Sequence, residues 1–330
     1  MFDNYQRDIN YLRISVTDRC NLRCRYCMPK EGLSLLGHDD ILRYEEILRV
    51  VRVAVSLGVA KVRITGGEPL VRRGIVPFVA DLNSLPGIKD LSLTTNGVLL
   101  ERCAADLFKA GVRRINISLD SLNPDKYHKI TRGGCLDDVL RGIAAVYAQG
   151  FSPVKINVVA INGFNDDEIL DFARLTLDSP YQVRFIELMP LGHPGRDNLG
   201  KYLASEVIMR TIADKYPLSP VNGERERMDG PAEMYRIAGG MGEIGFISPV
   251  SHHFCHFCNR LRLTADGNLR ACLLSDEEFD LKTPLRTGCT DSLLEALMKE
   301  AIAGKPRKHE VQFDEQFLRK CVKNMSAIGG

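Results

Sequence analysis

Neither sign of charge dominates this 330-residue sequence, aromatic side chains are sparse, and long apolar runs are missing. Forty-four lysines and arginines against 42 acids leave a net charge of +2. That balance excludes a global attraction to nucleic acid or to acidic membranes, so any cationic chemistry must be local. Aromatics make up 7% of the residues, too few for an extended base-stacking platform. The most apolar stretch, residues 50–59, is interrupted by Arg52 and stops at Gly58, short of a membrane span. The first eight residues are polar and carry no secretory signal. The expectation is a cytoplasmic protein with neither membrane nor nucleic acid as partner. There is no G-x-x-x-x-G-K-[ST] loop to cradle a nucleotide phosphate, no internal repeat, and no evident catalytic histidine or carboxylate dyad.

What is present is cysteine, ten of them. Reducing conditions argue against a disulfide scaffold, and the spacing says more than the number. Six fall in two tight groups. Cys103, Cys135, Cys289 and Cys321 are scattered and read as small hydrophobes or surface thiols.

Through the first 190 residues, six strand-like runs (11–17, 61–65, 91–95, 114–119, 154–160 and 182–188) alternate with amphipathic, helix-like stretches. The stretches 41–57, 99–110 and 137–149 each end at a glycine. Strands separated by helices need crossover connections, and crossovers make parallel sheets. Six such units predict an α/β fold, an incomplete (βα)6 TIM-type barrel, since the closed form needs eight. Residues 191–330 read as a smaller C-terminal α+β domain: a connector, a helix over 204–216, short strands (234–237, 243–247, 261–264, 269–273) and a helix over 293–302.

Each barrel strand has one apolar and one polar face, and the polar face is cationic. Arg13, Lys61, Arg63, Lys155 and Arg184 come from four strands and share one parity. With the apolar faces turned to the outer helices, this predicts a polar, cationic lumen. Like charges so grouped are costly unless a polyanion neutralises them. An antiparallel sheet with one wet face would give the same alternation, but the intervening helices speak against it.

Three constellations carry chemistry. Cys20, Cys24 and Cys27 form a C-x3-C-x2-C loop directly after the first strand. Thiolates suit iron–sulfur clusters, and three of them would leave one iron of a four-iron cluster open. A zinc site would need a fourth ligand, with His38 the nearest histidine downstream. Gly66-Gly67-Glu68-Pro69 ends the second strand; its glycines permit close backbone approach and Glu68 offers a carboxylate for an ammonium group. Cys255, Cys258 and Cys272 form C-x2-C-x13-C, again three thiolates, for which His252, His253 or His256 could complete a zinc site.

The first two constellations together resemble the radical S-adenosylmethionine (SAM) superfamily. With the third, and with the terminal Gly329-Gly330, the chain resembles the GTP 3′,8-cyclase family of molybdenum cofactor biosynthesis from Leu12 to Gly330. The resemblance implies two [4Fe–4S] clusters: one on Cys20, Cys24 and Cys27 that binds SAM, one on Cys255, Cys258 and Cys272 that binds GTP. Tyr26, Gly66, Gly67, Glu68, Ser118 and Met189 would contact SAM. Arg13, Lys61, Arg63, Thr94, Lys155, Arg184 and the Arg260-Leu261-Arg262 segment would contact GTP. Arg260, Arg262, Gly329 and Gly330 would serve catalysis, the glycines by reaching into the active site where nothing larger could follow.

The implied reaction is reductive cleavage of SAM, abstraction of the ribose 3′ hydrogen of GTP, and bonding of C3′ to guanine C8. The product would pass to cyclic pyranopterin monophosphate synthase. The reductant protein is left unspecified, and a homodimer is left open. Two other readings compete: a radical SAM peptide maturase with an auxiliary cluster, and a zinc-stabilised nucleic-acid-binding protein.

Overall fold

Side chains that alternate in and out of a pleat explain why the strands face two environments at once. The structure is a computed structural model that describes residues 1–191, 200–221, 230–309 and 325–329. The six expected βα strands are β1 (Tyr11–Ser15), β2 (Lys61–Thr65), β3 (Asp90–Thr95), β4 (Arg114–Ser118), β5 (Val154–Ala160) and β6 (Gln182–Glu187). They pair in parallel in that order. Leu12, Ile14, Val62, Ile64, Leu93, Ile115 and Ile117 are fully buried and pack in one apolar core with residues of the surrounding helices.

Those helices are α1 (Tyr44–Ser56), α2 (Ile75–Asn83), α3 (Leu100–Lys109), α4 (Pro124–Thr131), α5 (Leu136–Ala148) and α6 (Ile169–Asp178). The first starts at Tyr44, three residues later than its apolar periodicity predicts. The cause is a cap from within the first turn: Arg43 donates its backbone N–H to Glu46 Oε2 at 2.7 Å, which satisfies a group the helix would leave bare. It ends where Gly58 takes a left-handed φ of 100° that other residues avoid.

The later elements are α7 (Ser205–Ala213), β7 (Leu218–Pro220), β8 (Glu233–Ile237), β9 (Glu243–Ile247), β10 (Arg260–Leu263), β11 (Asn268–Arg270), β12 (Phe279–Asp280), α8 (Lys282–Arg286) and α9 (Asp291–Ala303). The sequence reading assigns these strands to a smaller unit of their own. In the fold they continue the barrel sheet, whose order is β12-β11-β10-β1-β2-β3-β4-β5-β6-β9-β8-β7. Strand β10 lies parallel to β1 and β9 parallel to β6. A six-stranded open sheet would expose two edges of unpaired backbone groups; the C-terminal segment covers both. Alternation within 234–273 reports strands but not their partners, so sequence alone could not place them.

Glu187, at the end of β6, is fully buried and shows how the two segments are stitched together. It accepts from the backbone N–H of Ser205, Val250 and Ser251, each at 3.0 Å. Among the described residues no helix is long and apolar enough to cross a membrane.

Candidate active site

Strand pairing brings the lumen-facing cations into rows. The register sets Arg262, Arg13 and Arg63 side by side across β10, β1 and β2. One level below lie Arg260, Tyr11, Lys61 and Asp90. A single cavity runs from Cys20, Cys24 and Cys27 past Arg13, Arg63 and Arg184 to Cys255, Cys258 and Cys272. It is also lined by Tyr26, Gly66, Gly67, Glu68, Ser118 and Met189, and by Thr94, Arg260 and Arg262.

Three expected contacts, Leu261, Lys61 and Lys155, are not among the residues that line it. Leu261 points the other way, buried in the apolar core, so only its backbone borders this side of the sheet. Lys61 opens β2, where its ammonium is 3.1 Å from Asp90, which also holds Arg114 at 3.0 Å. Gly330 and Cys321 lie outside the described residues. Of the scattered thiols, Cys103 and Cys289 pack against the core and Cys135 is exposed.

The first cysteine loop is seated on the Gly-Gly segment. Gly67 donates its N–H to Thr17 O at 2.6 Å and Glu68 to Arg19 O at 2.8 Å. A Cβ on Gly67 would stand 2.4 Å from Arg19 O, and one on Gly66 2.8 Å from Thr17 O. Glycine is required here by backbone contact within the chain as well as by any ligand. Glu68 accepts from Leu70 N–H at 3.0 Å, Thr95 Oγ1 at 2.8 Å and Asn96 N–H at 2.7 Å. Burial pushes its carboxyl up to about 7, against the pull of those donors. Asn96 in turn reaches Cys20 Sγ at 3.7 Å. Burial and the neighbouring thiols hold the Cys24 thiol well above its ordinary range.

Asp120, at the carboxyl end of β4, is a residue the sequence reading missed. Its Oδ2 accepts from the Tyr26 hydroxyl at 2.7 Å and its Oδ1 from Val159 N–H at 2.8 Å. Burial raises its carboxyl to about 6. The signal was available, because functional residues in such barrels gather at the carboxyl ends of strands. Tyr11 was missed too, although it shares the parity of Arg13. Its ring lies 5.0 Å from Lys61 Nζ and 5.5 Å from the Arg63 guanidinium. Burial alone would raise its phenol, but Arg63, Arg13, Lys61 and Arg260 bring it below its ordinary value.

At the far end, Cys255–Phe257 form a single tight turn and Cys272 follows β11. Burial opposes ionisation of Cys258, yet Arg260 and Lys305 lower its thiol to about 6. Arg262 Nη1 donates to Gly329 O at 2.5 Å, so the C-terminal tail enters the lumen. Gly329 has φ of 80°, and a Cβ there would lie 2.4 Å from Thr65 Oγ1.

Among the described residues no three or more His, Cys, Asp or Glu side chains converge as ligands of a single metal ion. Both cysteine trios instead border the cavity, where three thiolates can share the corners of a larger group. Thr94 Oγ1 and Asn157 Oδ1 are buried beside it with no hydrogen-bond partner among the described residues, as a site built for a polar ligand would leave them.

Lys155 reports the electrostatics of this lumen. Burial first, then Arg184, Arg63, Lys61 and Arg114, depress its ammonium to about 6. A bound polyanion offsets those cations and raises it again. Binding of inorganic triphosphate above pH about 6 is therefore expected to take up about one proton, and to weaken as pH rises. Calorimetry in buffers of different ionisation heat measures the uptake. An unchanged proton count in Lys155→Met would refute it.

A barrel whose first loop carries three cysteines facing a Gly-Gly-Glu segment is the architecture of a radical SAM protein. A family model described as the radical SAM superfamily matches residues 14–176, and one described as Molybdenum Cofactor Synthesis C matches 181–311. The chain is 51% identical to a GTP 3′,8-cyclase of Moorella thermoacetica and 51% to that of Heliobacterium modesticaldum, each over 100% of both chains. It is 49% identical to that of Thermodesulfovibrio yellowstonii, again over 100% of both. Among solved structures, Streptococcus suis SuiB bound to its precursor peptide SuiA matches 93% of this chain and 68% of its own, with a TM-score of 0.62 and 15% identity, a likeness of fold. The chain belongs to the GTP 3′,8-cyclase family. Membership in the radical SAM superfamily implies SAM and a [4Fe–4S] cluster.

Proposed function

We propose that this chain converts GTP to its 3′,8-cyclised form by radical SAM chemistry for molybdopterin biosynthesis. The observation that carries the reading is the continuous cavity with a cysteine trio at each end and a cationic wall between them. Cys20, Cys24 and Cys27 would hold a [4Fe–4S] cluster, which together with bound SAM would supply the radical chemistry directed at the ribose 3′ hydrogen.

The chain's own residues bind, orient and exclude water. Tyr26, Gly66, Gly67, Glu68, Ser118 and Met189 border the first trio and would position SAM. Arg13, Lys155 and Arg184 would hold the triphosphate, with Lys61 stiffened by its pair with Asp90. Arg63 and Thr94 would complete that pocket. Cys255, Cys258 and Cys272 would hold a second [4Fe–4S] cluster facing the guanine, with Arg260 and Arg262 on the same wall. Gly329 and Gly330 would close the lumen over the reacting ribose and keep water from the radical.

Residues 1–190 then form the SAM-binding domain and 191–330 the domain carrying the second cluster and the Gly-Gly tail. Reduced cysteine-rich sites suit the cytoplasm. Cyclic pyranopterin monophosphate synthase would be the next enzyme, a reductant protein would supply electrons, and assembly as a homodimer is compatible with this arrangement.

Anaerobic incubation with SAM, a reductant and GTP deuterated at C3′ tests the reaction. The label is expected in 5′-deoxyadenosine, together with a 3′,8-cyclised nucleotide. SAM cleavage with all label retained in GTP would instead favour the peptide-maturase reading. About eight irons and eight sulfides per chain are expected, and zinc in a colourless protein would overturn the assignment.

A further inference from the structure

Two buried cations outside the lumen hold the second cysteine site together. Lys305, just beyond α9, is 3% exposed. Its ammonium donates to Arg260 O at 2.8 Å and to Ala271 O. The first carbonyl belongs to the second residue after Cys258, the other to the residue before Cys272. One ammonium thus ties together the two chain segments that bring these thiols into one site.

Arg7, 5% exposed, does the same for the third thiol. Its Nη1 donates to Cys255 O at 2.9 Å and its Nη2 to Pro306 O at 2.8 Å. The chain that carries Lys305 is thereby fastened to the Cys255 turn. Neither cation lines the central cavity, so neither serves as a ligand for the substrate phosphates.

The two differ in charge balance. Arg7 is paired with Asp3, Nε to Oδ2 at 2.6 Å, so the pair is neutral overall. Lys305 has only carbonyl partners among its hydrogen bonds and no carboxylate pair among the described residues. A buried ammonium satisfied by neutral dipoles keeps its full field in a medium that screens it little. Placed beside three thiolates, it favours the state that carries one more electron.

We propose that Arg7 and Lys305 are positioning residues for the second cysteine site, and that the buried charge of Lys305, which has no carboxylate partner among the described residues, raises the reduction potential of the cluster held there. The proposal rests on the reading of Cys255, Cys258 and Cys272 as cluster ligands. It adds a division of labour: Arg7 fixes geometry, whereas Lys305 fixes geometry and potential. Reduction potentials of such clusters respond to local charge and hydrogen bonding, so the two roles separate experimentally.

The test begins with reconstituted wild-type holoenzyme. Two clusters by iron analysis uphold the site reading, and four irons in the wild type would sink that reading before any variant is made. Potentiometric titration followed by electron paramagnetic resonance then compares Lys305→Met and Lys305→Arg. In Lys305→Met the equilibrium constant for reducing the second cluster is expected to fall about tenfold, which is about 59 mV for one electron. The first cluster should keep its wild-type potential, and Lys305→Arg should restore the second. Full iron content with an unchanged second-cluster potential in Lys305→Met would overturn the tuning role.

If Lys305→Met cannot be loaded or purified, the charge-neutral double variant Asp3→Asn/Arg7→Gln decides the positioning role. It should lose second-cluster iron and keep the first cluster. Full occupancy of both would overturn that role.

Discussion

Gly67→Ala is expected to lose the first cluster while the second stays in place. The added methyl would stand 2.4 Å from Arg19 O, 2.6 Å from Arg19 C and 2.7 Å from Asp18 O. All three are backbone atoms, so no side-chain rotation relieves the clash. Overpacking of this kind costs about 1–3 kcal/mol, and here the strain falls on the two residues that lead into Cys20. The hydrogen bonds from Gly67 and Glu68 to Thr17 O and Arg19 O would be pushed apart together.

Iron analysis of the purified variant should show about half the wild-type content. SAM cleavage should be lost with it, while the iron that remains should belong to the second site. Full iron content with normal SAM cleavage would show that the loop tolerates the methyl and would overturn the requirement for glycine at this position.

Substitution of the tail has the opposite signature. Gly329→Val should retain both clusters and SAM cleavage yet lose GTP cyclisation, by about a hundredfold or more, the scale on which small misplacement at a reacting centre acts. Gly329 has a left-handed φ of 80°, which a β-branched residue avoids, and its Cβ would meet Thr65 Oγ1 at 2.4 Å and Ser15 Cβ at 2.9 Å. The tail would withdraw, and Arg262 would lose the Gly329 carbonyl that it holds at 2.5 Å. Deleting Gly329 and Gly330 together should give the same separation. Equal cyclisation in the truncated enzyme would end the tail's role. The ratio of 5′-deoxyadenosine formed to GTP consumed distinguishes uncoupled SAM cleavage from a general loss of activity.

The elements of the barrel were legible because their periods are strong. Lys61–Thr65 and Val154–Ala160 appear with the bounds that alternation predicts. The start of α1 was not, because Glu46 caps the helix from within its first turn. The cationic parity of Arg13, Arg63 and Arg184 was legible too, and all three border the cavity. Leu261 was carried into the substrate site by its arginine neighbours, and the pleat turns it into the core instead. Asp120, Tyr11, Arg7 and Lys305 were not singled out. Strand-end position pointed to Asp120 and parity to Tyr11, whereas nothing along the chain says what surrounds Arg7 or Lys305.

By itself, then, the sequence determined the C-x3-C-x2-C and C-x2-C-x13-C patterns, the glycines, the alternation and the crossover count, because each follows from spacing along the chain. Only the tertiary structure decided what spacing cannot express. It set the C-terminal strands on both edges of the barrel, where unpaired backbone groups needed partners. It brought Arg7 and Lys305, nearly 300 residues apart, to the carbonyls of a single cysteine site, because a buried cation must find its partners wherever the fold provides them.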